Sequence, residues 1–578
     1  MIFNPKFQTS SIPFPEYPRP QFERDSYFSL NGEWDYCICK KGAFCGNYDG
    51  KIIVPFSPEC ELSLVKRQLQ KDEELHYRRT FTLPDGFMKD RLLLNVGASD
   101  QITEVYLNDT LVGANQGGYL SFTFDLTGAL KDGENTLHFI ITDDADSEIF
   151  ARGKQKYKRG GIWYTATSGI WQSVWLESVS ENYITSLKLT PDFPTKTLTV
   201  TAYSKTNDII EISILNADRT PLNVVSGVCN VPIIIDVTEC KPWSPDSPEL
   251  YPIIVKSKFD TVKSHFGLRT FSVAKVGDKL YPTLNGKPIF HNGLLDQGYF
   301  HDGLYTPKDN RTYYEQIKAV KDMGFNMLRK HIKVEPYLWY YYCDVLGVLV
   351  WQDMVNGGAK YKARRIMLAP FFNLHLNDQN YKSMGRSEES RKHYYKEAEG
   401  LVNQLYNCVS LCTYTPFNEC WGQFDALKTC KWLKSIDQTR LIDHASGWQD
   451  MGGGDFCSRH IYFRKARPKN DGKRILALTE FGGYSFALDG HVFSKRKFGY
   501  KKFANVDKLY AAYERLYVEQ VLPLIEKQGL SVTVYTQLTD VEDEINGLFT
   551  FDGVLKISKN KIKELNKLVY DKFNSQFD

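Results

Sequence analysis

Two glutamates stand at the ends of apolar, strand-like runs. Glu419 closes Tyr414-Thr415-Pro416-Phe417-Asn418-Glu419, and Glu480 closes Leu476-Ala477-Leu478-Thr479-Glu480, ahead of Phe481-Gly482-Gly483. An arbitrary Glu is a solvated or salt-bridged surface group. Two at strand ends are different, because a carboxyl pair can cleave a glycosidic bond. One carboxyl protonates the leaving oxygen while the other attacks the anomeric carbon. Retention of configuration requires the two to lie about 5–5.5 Å apart. Their surroundings must also differ, so that one holds a proton near neutrality while the other is ionised.

Elements must bring the pair together. After about residue 280, strand-like runs alternate with amphipathic helices. Eight such runs are 289–293, 327–330, 348–352, 411–417, 441–446, 456–462, 475–480 and 532–537. Eight strand–helix alternations predict a (β/α)8 TIM barrel, whose strand C-termini open on one mouth. Glu419 then ends strand four and Glu480 strand seven, across the mouth from each other. The first helix shows the logic: Thr312 and Glu315 fit a capping box, Tyr313, Ile317 and Val320 share one face, and Gly324 is a stop. Ala426, Cys430 and Leu433 repeat the spacing after strand four, and Ile562, Leu565 and Val569 do so near the end. Further mouth candidates are Asp296 and Gln297 after strand one, Asp353 after strand three, and His460 and Tyr462 at strand six. Trp421, Trp448 and Tyr535 could stack on a sugar face, although packing is favoured for each. Trp171 and Trp175 belong to sandwich core or interface.

Before residue 275 the chain reads as β. Leu198, Val200 and Ala202 alternate with Thr197, Thr199 and Thr201, so one face is buried and the other wetted. Short runs with Asn, Asp, Gly and Pro between them predict two β-sandwiches. The expected division is 1–179, 180–274 and 275–578.

The near-balanced formal charge of +3 points to neither nucleic acid nor a charged membrane as partner. The basic run Lys154-Gln155-Lys156-Tyr157-Lys158-Arg159 is expected to be a solvated loop. The 12 Cys include no CxxC pair. Cys37, Cys39 and Cys45 cluster, as do Cys408, Cys412 and Cys420, and the second group is expected to pack as small hydrophobes. No His/Asp cluster has metal-ligand spacing, so no metal or cofactor is expected. Met1 to Lys6 lack a basic start followed by an apolar stretch, and no apolar run is long enough for a membrane span. Unpaired cysteines then suggest the cytoplasm.

Several motifs, in order, resemble glycoside hydrolase family 2 over nearly the whole chain. Arg19-Pro20-Gln21-Phe22-Glu23-Arg24 and Leu30-Asn31-Gly32-Glu33-Trp34 resemble that family's start. Thr167-Ser168-Gly169-Ile170-Trp171-Gln172-Ser173-Val174-Trp175-Leu176-Glu177 resembles its signature at the end of a sugar-binding-like jelly roll. Gly267-Leu268-Arg269-Thr270-Phe271 resembles the join between an immunoglobulin-like sandwich and the barrel, which Asn285-Gly286-Lys287-Pro288 opens. The resemblance implies a jelly roll, an immunoglobulin-like β-sandwich and a C-terminal TIM barrel. It implies Glu419 as acid/base, Glu480 as nucleophile and Asn418 as a partner of the sugar 2-hydroxyl. Arg329 and His331, in Leu328-Arg329-Lys330-His331, resemble the family's Arg…His element. Arg329 would then hold the nucleophile, and His331 would contact substrate. Tyr462 would donate to Glu480.

The implied activity is that of a retaining, exo-acting β-glycosidase on an oligosaccharide or glycoside, with the sandwich faces as candidates for a homodimer contact. Three departures from the family's patterns bear on the sugar, the first being that Phe481-Gly482-Gly483 after Glu480 does not reproduce the β-galactosidase-type surroundings of the nucleophile. Strand eight ends in Tyr535-Thr536-Gln537-Leu538, where relatives often carry a Trp-Asn pair. The Asn-x-Lys element of β-glucuronidases is replaced by Asn546-Gly547-Leu548. A neutral β-hexoside, galactoside first, is therefore expected, with a glucuronide or another family 2 substrate as the alternative. A carbohydrate-binding protein on an inactive scaffold is the alternative of another class, against which the two retained glutamates argue.

Overall fold

The computed structural model describes residues 7–43, 45–359 and 376–577. The segment Met1 to Lys6, read above for a secretion signal, lies outside them. Among the described residues, no helix is long and apolar enough to cross a membrane.

The first module is a jelly-roll sandwich. Its six-stranded antiparallel sheet runs in the order Gly50–Val54, Gly32–Lys40, Glu73–Phe81, Asn135–Thr142, Ile102–Leu107, Thr110–Gln116. A four-stranded sheet packs against it. Alternation makes the core: Leu137, Phe139 and Ile141 are fully buried while the residues between them are half-buried. The second module packs sheets of three and four strands around Leu198, Val200, Ala202, Ile212 and Val255. Buried Arg24 ties both modules together. It lies 2.8 Å from Glu177 and 2.9 Å from Asp260, and Arg19 reaches Glu177 at 3.0 Å. Removing one partner of such a buried cluster costs about 3–5 kcal/mol.

The barrel strands are β1 (His291–Asp296), β2 (Met327–Lys330), β3 (Leu349–Asp353), β4 (Leu411–Thr415), β5 (Leu441–Ile442), β6 (Phe456–Ile461), β7 (Ile475–Gly482) and β8 (Val532–Thr536). All are parallel, in the order β5-β4-β3-β2-β1-β8-β7-β6. The β5–β6 seam has no ladder. Asp455 closes it, donating its N–H to Ile442 O (2.7 Å) and accepting from Ile442 N–H through its carboxylate (2.7 Å).

Three local expectations are corrected. β1 starts at His291, not at residue 289, because the Ile289 N–H is taken by Pro282 O of the preceding hairpin. β5 ends at Ile442. Beyond it the chain leaves the ladder and Ser446 pairs with the turn after β4. The first helix, Asn310–Asp322, is capped by Asp309, whose side chain accepts from Thr312 N–H at 2.8 Å. A short acid three residues before the expected cap satisfies the free N–H groups first. The Thr312/Glu315 box therefore does not form. The buried face of Tyr313, Ile317 and Val320 is as expected.

Candidate active site

Glu419 is presented by a strained turn. Glu419 and Cys420 have φ of 49° and 59°, a region that non-glycine residues rarely occupy. Glu419 N–H donates to Ser446 O (2.8 Å) and Trp421 N–H to Asn418 O (3.0 Å), which holds the turn against the chain beyond β5. Glu480 is aimed by an irregularity in β7. Arg459 pairs with Leu478 and His460 with Glu480, so Thr479 is an extra residue in the ladder. Such bulges re-aim side chains beside functional sites.

The two carboxyls meet around His460. One oxygen of each and an imidazole nitrogen all lie within 4.8 Å of one another. His460 Nδ1 is 2.9 Å from Glu419 Oε1 and 3.6 Å from Glu480 Oε2. Its Nε2 is 2.9 Å from Ser446 Oγ. Ser446 donates to Thr479 Oγ1 (2.9 Å), Thr479 to Ser458 Oγ (3.1 Å) and Ser458 to the Asp443 carboxylate (2.7 Å). Every hydroxyl in this chain donates toward Asp443. Ser446 Oγ therefore accepts from Nε2–H, and Nδ1 faces Glu419.

Glu480 has different company. Arg329, fully buried, donates Nη1–H to Glu480 Oε1 at 3.2 Å, and the Tyr462 hydroxyl donates to Oε2. Arg329 also grips both oxygens of Asp353 at 2.9 and 3.0 Å and donates to Asn418 Oδ1 at 2.8 Å. Burial alone would raise the Glu480 carboxyl. The surrounding His460, Arg329 and Lys154 outweigh it and hold Glu480 below the usual Glu range. Asp353, also pushed up by burial, is brought below its usual range by Arg329 and His331. Burial and the Lys154 charge push His331 down to about 4, so the neutral ring donates Nδ1–H to Asp353 at 2.7 Å.

Of the residues singled out from the sequence, Glu419, Glu480, Asn418, Arg329, His331, Asp353, His460 and Tyr462 come together here. Trp448 is half-buried with its ring 6.0 Å from that of His460. Trp421 stacks on Trp163 of the jelly roll at 4.9 Å. Gln297 begins a buried relay: its amide donates to Gln537 (2.9 Å), Gln537 to Asn546 (2.9 Å) and Asn546 to Glu544 (3.1 Å), which also accepts from Tyr164. Two candidates lie elsewhere. Asp296 points outward from β1 onto Lys330 Nζ at 2.6 Å. Tyr535 also points outward, against Tyr513 (5.0 Å) and Phe481 (5.8 Å), because alternation along β8 turns Thr536 inward, 3.3 Å from the Tyr462 hydroxyl.

The basic run is not a solvated loop. Arg152 and Gly153 donate N–H groups to Asn356 O beyond β3, both at 3.0 Å. Gly153 has φ 57°, and a Cβ there would sit 2.9 Å from Ile332 O, so only glycine fits the close approach. Lys154 follows, only 8% exposed. Among the described residues its ammonium has no hydrogen-bond or ion-pair partner, and it faces Tyr164, 5.8 Å from the ring centroid. Arg159 pairs with Asp543 beyond β8 at 2.9 Å. Nothing local in the sequence marks Trp163 as a mouth residue, and Lys154 has only its neighbouring glycine to mark it. The glycine ahead of Lys154 was the available signal.

These features define a class: two β-sandwich modules on a parallel eight-stranded barrel whose mouth holds a close carboxyl pair. Residues 50–170 match the family model described as glycosyl hydrolase 2 galactose-binding domain-like. A Formosa agariphila protein with a provisional β-glucuronidase name is 27% identical over 269 residues, 44% of this chain and 31% of that protein. A Thermoanaerobacter pseudethanolicus β-galactosidase is 23% identical over 332 residues, 54% of this chain and 41% of that one. The chain thus spans less than half the length of either relative. A solved β-D-glucuronidase from Dictyoglomus thermophilum has the same fold, with a TM-score of 0.74 at 17% identity over 95% of this chain and 98% of that one. Residues 50–170 thus match a domain of glycoside hydrolase family 2, and the chain as a whole is similar to these proteins in sequence and fold.

Proposed function

We propose that the chain is a retaining, exo-acting β-glycosidase that uses Glu419 and Glu480 in a double displacement. The observation that carries this reading is the pair's separation: one oxygen of each carboxyl within 4.8 Å of the other, in a single buried mouth. That suits about 5–5.5 Å between carboxyl groups, and is too close for the intervening water of an inverting enzyme. Glu480 is ionised and gripped by Arg329 and Tyr462, so it attacks the anomeric carbon. Glu419, held 2.9 Å from His460 Nδ1, is the acid that gives a proton to the leaving oxygen. It then takes a proton from water as the glycosyl–enzyme is hydrolysed. Asn418 spends its carbonyl oxygen on Arg329, which leaves its amide N–H groups to donate to the 2-hydroxyl.

The glycone is proposed as a neutral β-hexoside, galactoside first. The missing Asn-x-Lys element and the β-galactosidase relative support this. One observation favours an acidic glycone instead: Lys154, whose ammonium has no hydrogen-bond or ion-pair partner among the described residues, reaches the mouth from the jelly roll, where a carboxylate on the sugar could meet it. A panel of nitrophenyl β-glycosides tests both readings. Hydrolysis of one or more, lost in Glu480→Gln, is expected. No turnover of any glycoside by the wild type would leave the binding-protein reading in its place. Glucuronide turnover well above galactoside would select the acidic glycone.

A further inference from the structure

Chemistry-bearing groups converge at one place outside the mouth, on the outward face of the jelly roll's six-stranded sheet. Trp34, Tyr36 and Ile38 of the strand Gly32–Lys40 turn into the sandwich core. Alternation therefore sends Cys37 and Cys39 outward. In the antiparallel register Cys39 stands opposite Glu74 and Cys37 opposite His76. Cys39 Sγ lies 3.5 Å from His76 Nε2 and 4.0 Å from Glu74 Oε1, and the last two atoms are 3.0 Å apart. Ligands held at about 2.0–2.3 Å by a tetrahedral zinc stand roughly 3.3–3.7 Å from one another. These three atoms already outline one face of such a tetrahedron.

A fourth residue orients the set. His76 Nδ1 is 3.0 Å from His138 Nε2. The two rings stack at 5.2 Å, which holds the His76 imidazole in place. That contact turns Nε2 toward Cys39 and Glu74. Metal-ligating histidines are fixed in this way, through the nitrogen that does not bind. No spacing in the sequence reveals the set, because the ligands come from two strands and meet only through the register.

We propose that Cys39, Glu74 and His76 bind a zinc ion on the outer face of the jelly roll, with Cys37 or a water as fourth ligand. A thiolate, an imidazole and a carboxylate suit a borderline-soft cation better than magnesium or calcium. Binding breaks the Cys39 S–H bond, forms Zn–S and releases the proton to solvent.

The test uses the full chain, stripped with a chelator and titrated with Zn2+ or Co2+. About one ion per chain is expected, with release of about one proton and a thiolate-to-cobalt charge-transfer band in the Co2+ form. Cys39→Ser abolishes that band. His138→Ala, which removes only the orienting partner, weakens binding about 10–100-fold. Thermal unfolding of the metal-free variants establishes that they fold. Zinc bound equally well by folded Cys39→Ser, or none bound by the wild type at micromolar concentrations, overturns the proposal.

Discussion

Replacing Arg329 by Met tests how the mouth is held. Arg329 is fully buried and is the shared partner of Asp353, Glu480 and Asn418, at 2.8 to 3.2 Å. The substitution keeps most of the volume and leaves two buried carboxylates without their cation. Breaking one buried pair costs about 3–5 kcal/mol, and the barrel's unfolding transition should fall by at least that amount. Asp353 keeps His331, which limits further loss. The catalytic effect has a definite sign. Arg329 helps hold Glu480 below its usual range, and a group depressed in the fold is stabilising above its unfolded pKa and loses that as pH falls through the folded value. Without Arg329, the acid limb of kcat/KM moves to higher pH. Loss of one charge-assisted hydrogen bond, about 1.5–3 kcal/mol, also lowers kcat/KM by about 10–150-fold at neutral pH. Arg329→Lys should recover only part of this, since an ammonium cannot serve both carboxylates and the amide as a fork does. The assays are calorimetry and pH profiles on the best chromogenic glycoside. A folded Arg329→Met enzyme with unchanged stability and an unchanged acid limb would refute the reasoning.

Other outcomes follow from single groups. Tyr462→Phe removes the hydroxyl that donates to Glu480 and should lower kcat/KM by about 10-fold or more with little loss of stability; near wild-type kinetics would remove Tyr462 from the mechanism. Lys154→Ala should change relative turnover of uronides and neutral glycosides, lowering uronides more if the ammonium meets a carboxylate; equal losses on both would make Lys154 a general structural group. Asp100 is buried with one oxygen unpartnered, and burial pushes it up to about 7. For this raised carboxyl, stability is full below the unfolded value and falls as pH rises from about 4 to 7. Asp100→Asn should therefore stabilise the jelly roll at pH 8 by up to about 4 kcal/mol and hardly at pH 4, as thermal melts at the two pH values would reveal.

The sequence made the barrel legible because its strands are short apolar runs between amphipathic helices, and strand ends locate a mouth without any knowledge of register. Glu419, Glu480, His460 and Tyr462 could be singled out for that reason. Facing was harder to read. Asp296 and Tyr535 sit at the right height but on the outer side, since one residue of phase decides which way a strand side chain points. The extra residue at Thr479 that aligns His460 with Glu480 leaves no trace in composition. Lys154 and Trp163 reach the mouth from another module, through backbone bonds to Asn356 and a stack on Trp421. Cys39, Glu74 and His76 likewise meet only through ladder register. Local pattern reports elements, and contacts between elements require their relative placement.

Mass spectrometry of the protein after reaction with a 2-deoxy-2-fluoro glycosyl fluoride tests the central claim most directly, because the fluorine slows release of the glycosyl–enzyme. The account predicts one added sugar, on the peptide that contains Glu480, with no adduct in Glu480→Gln. Labelling at a different carboxylate, or an active enzyme whose first-formed sugar has inverted anomeric configuration, would contradict it.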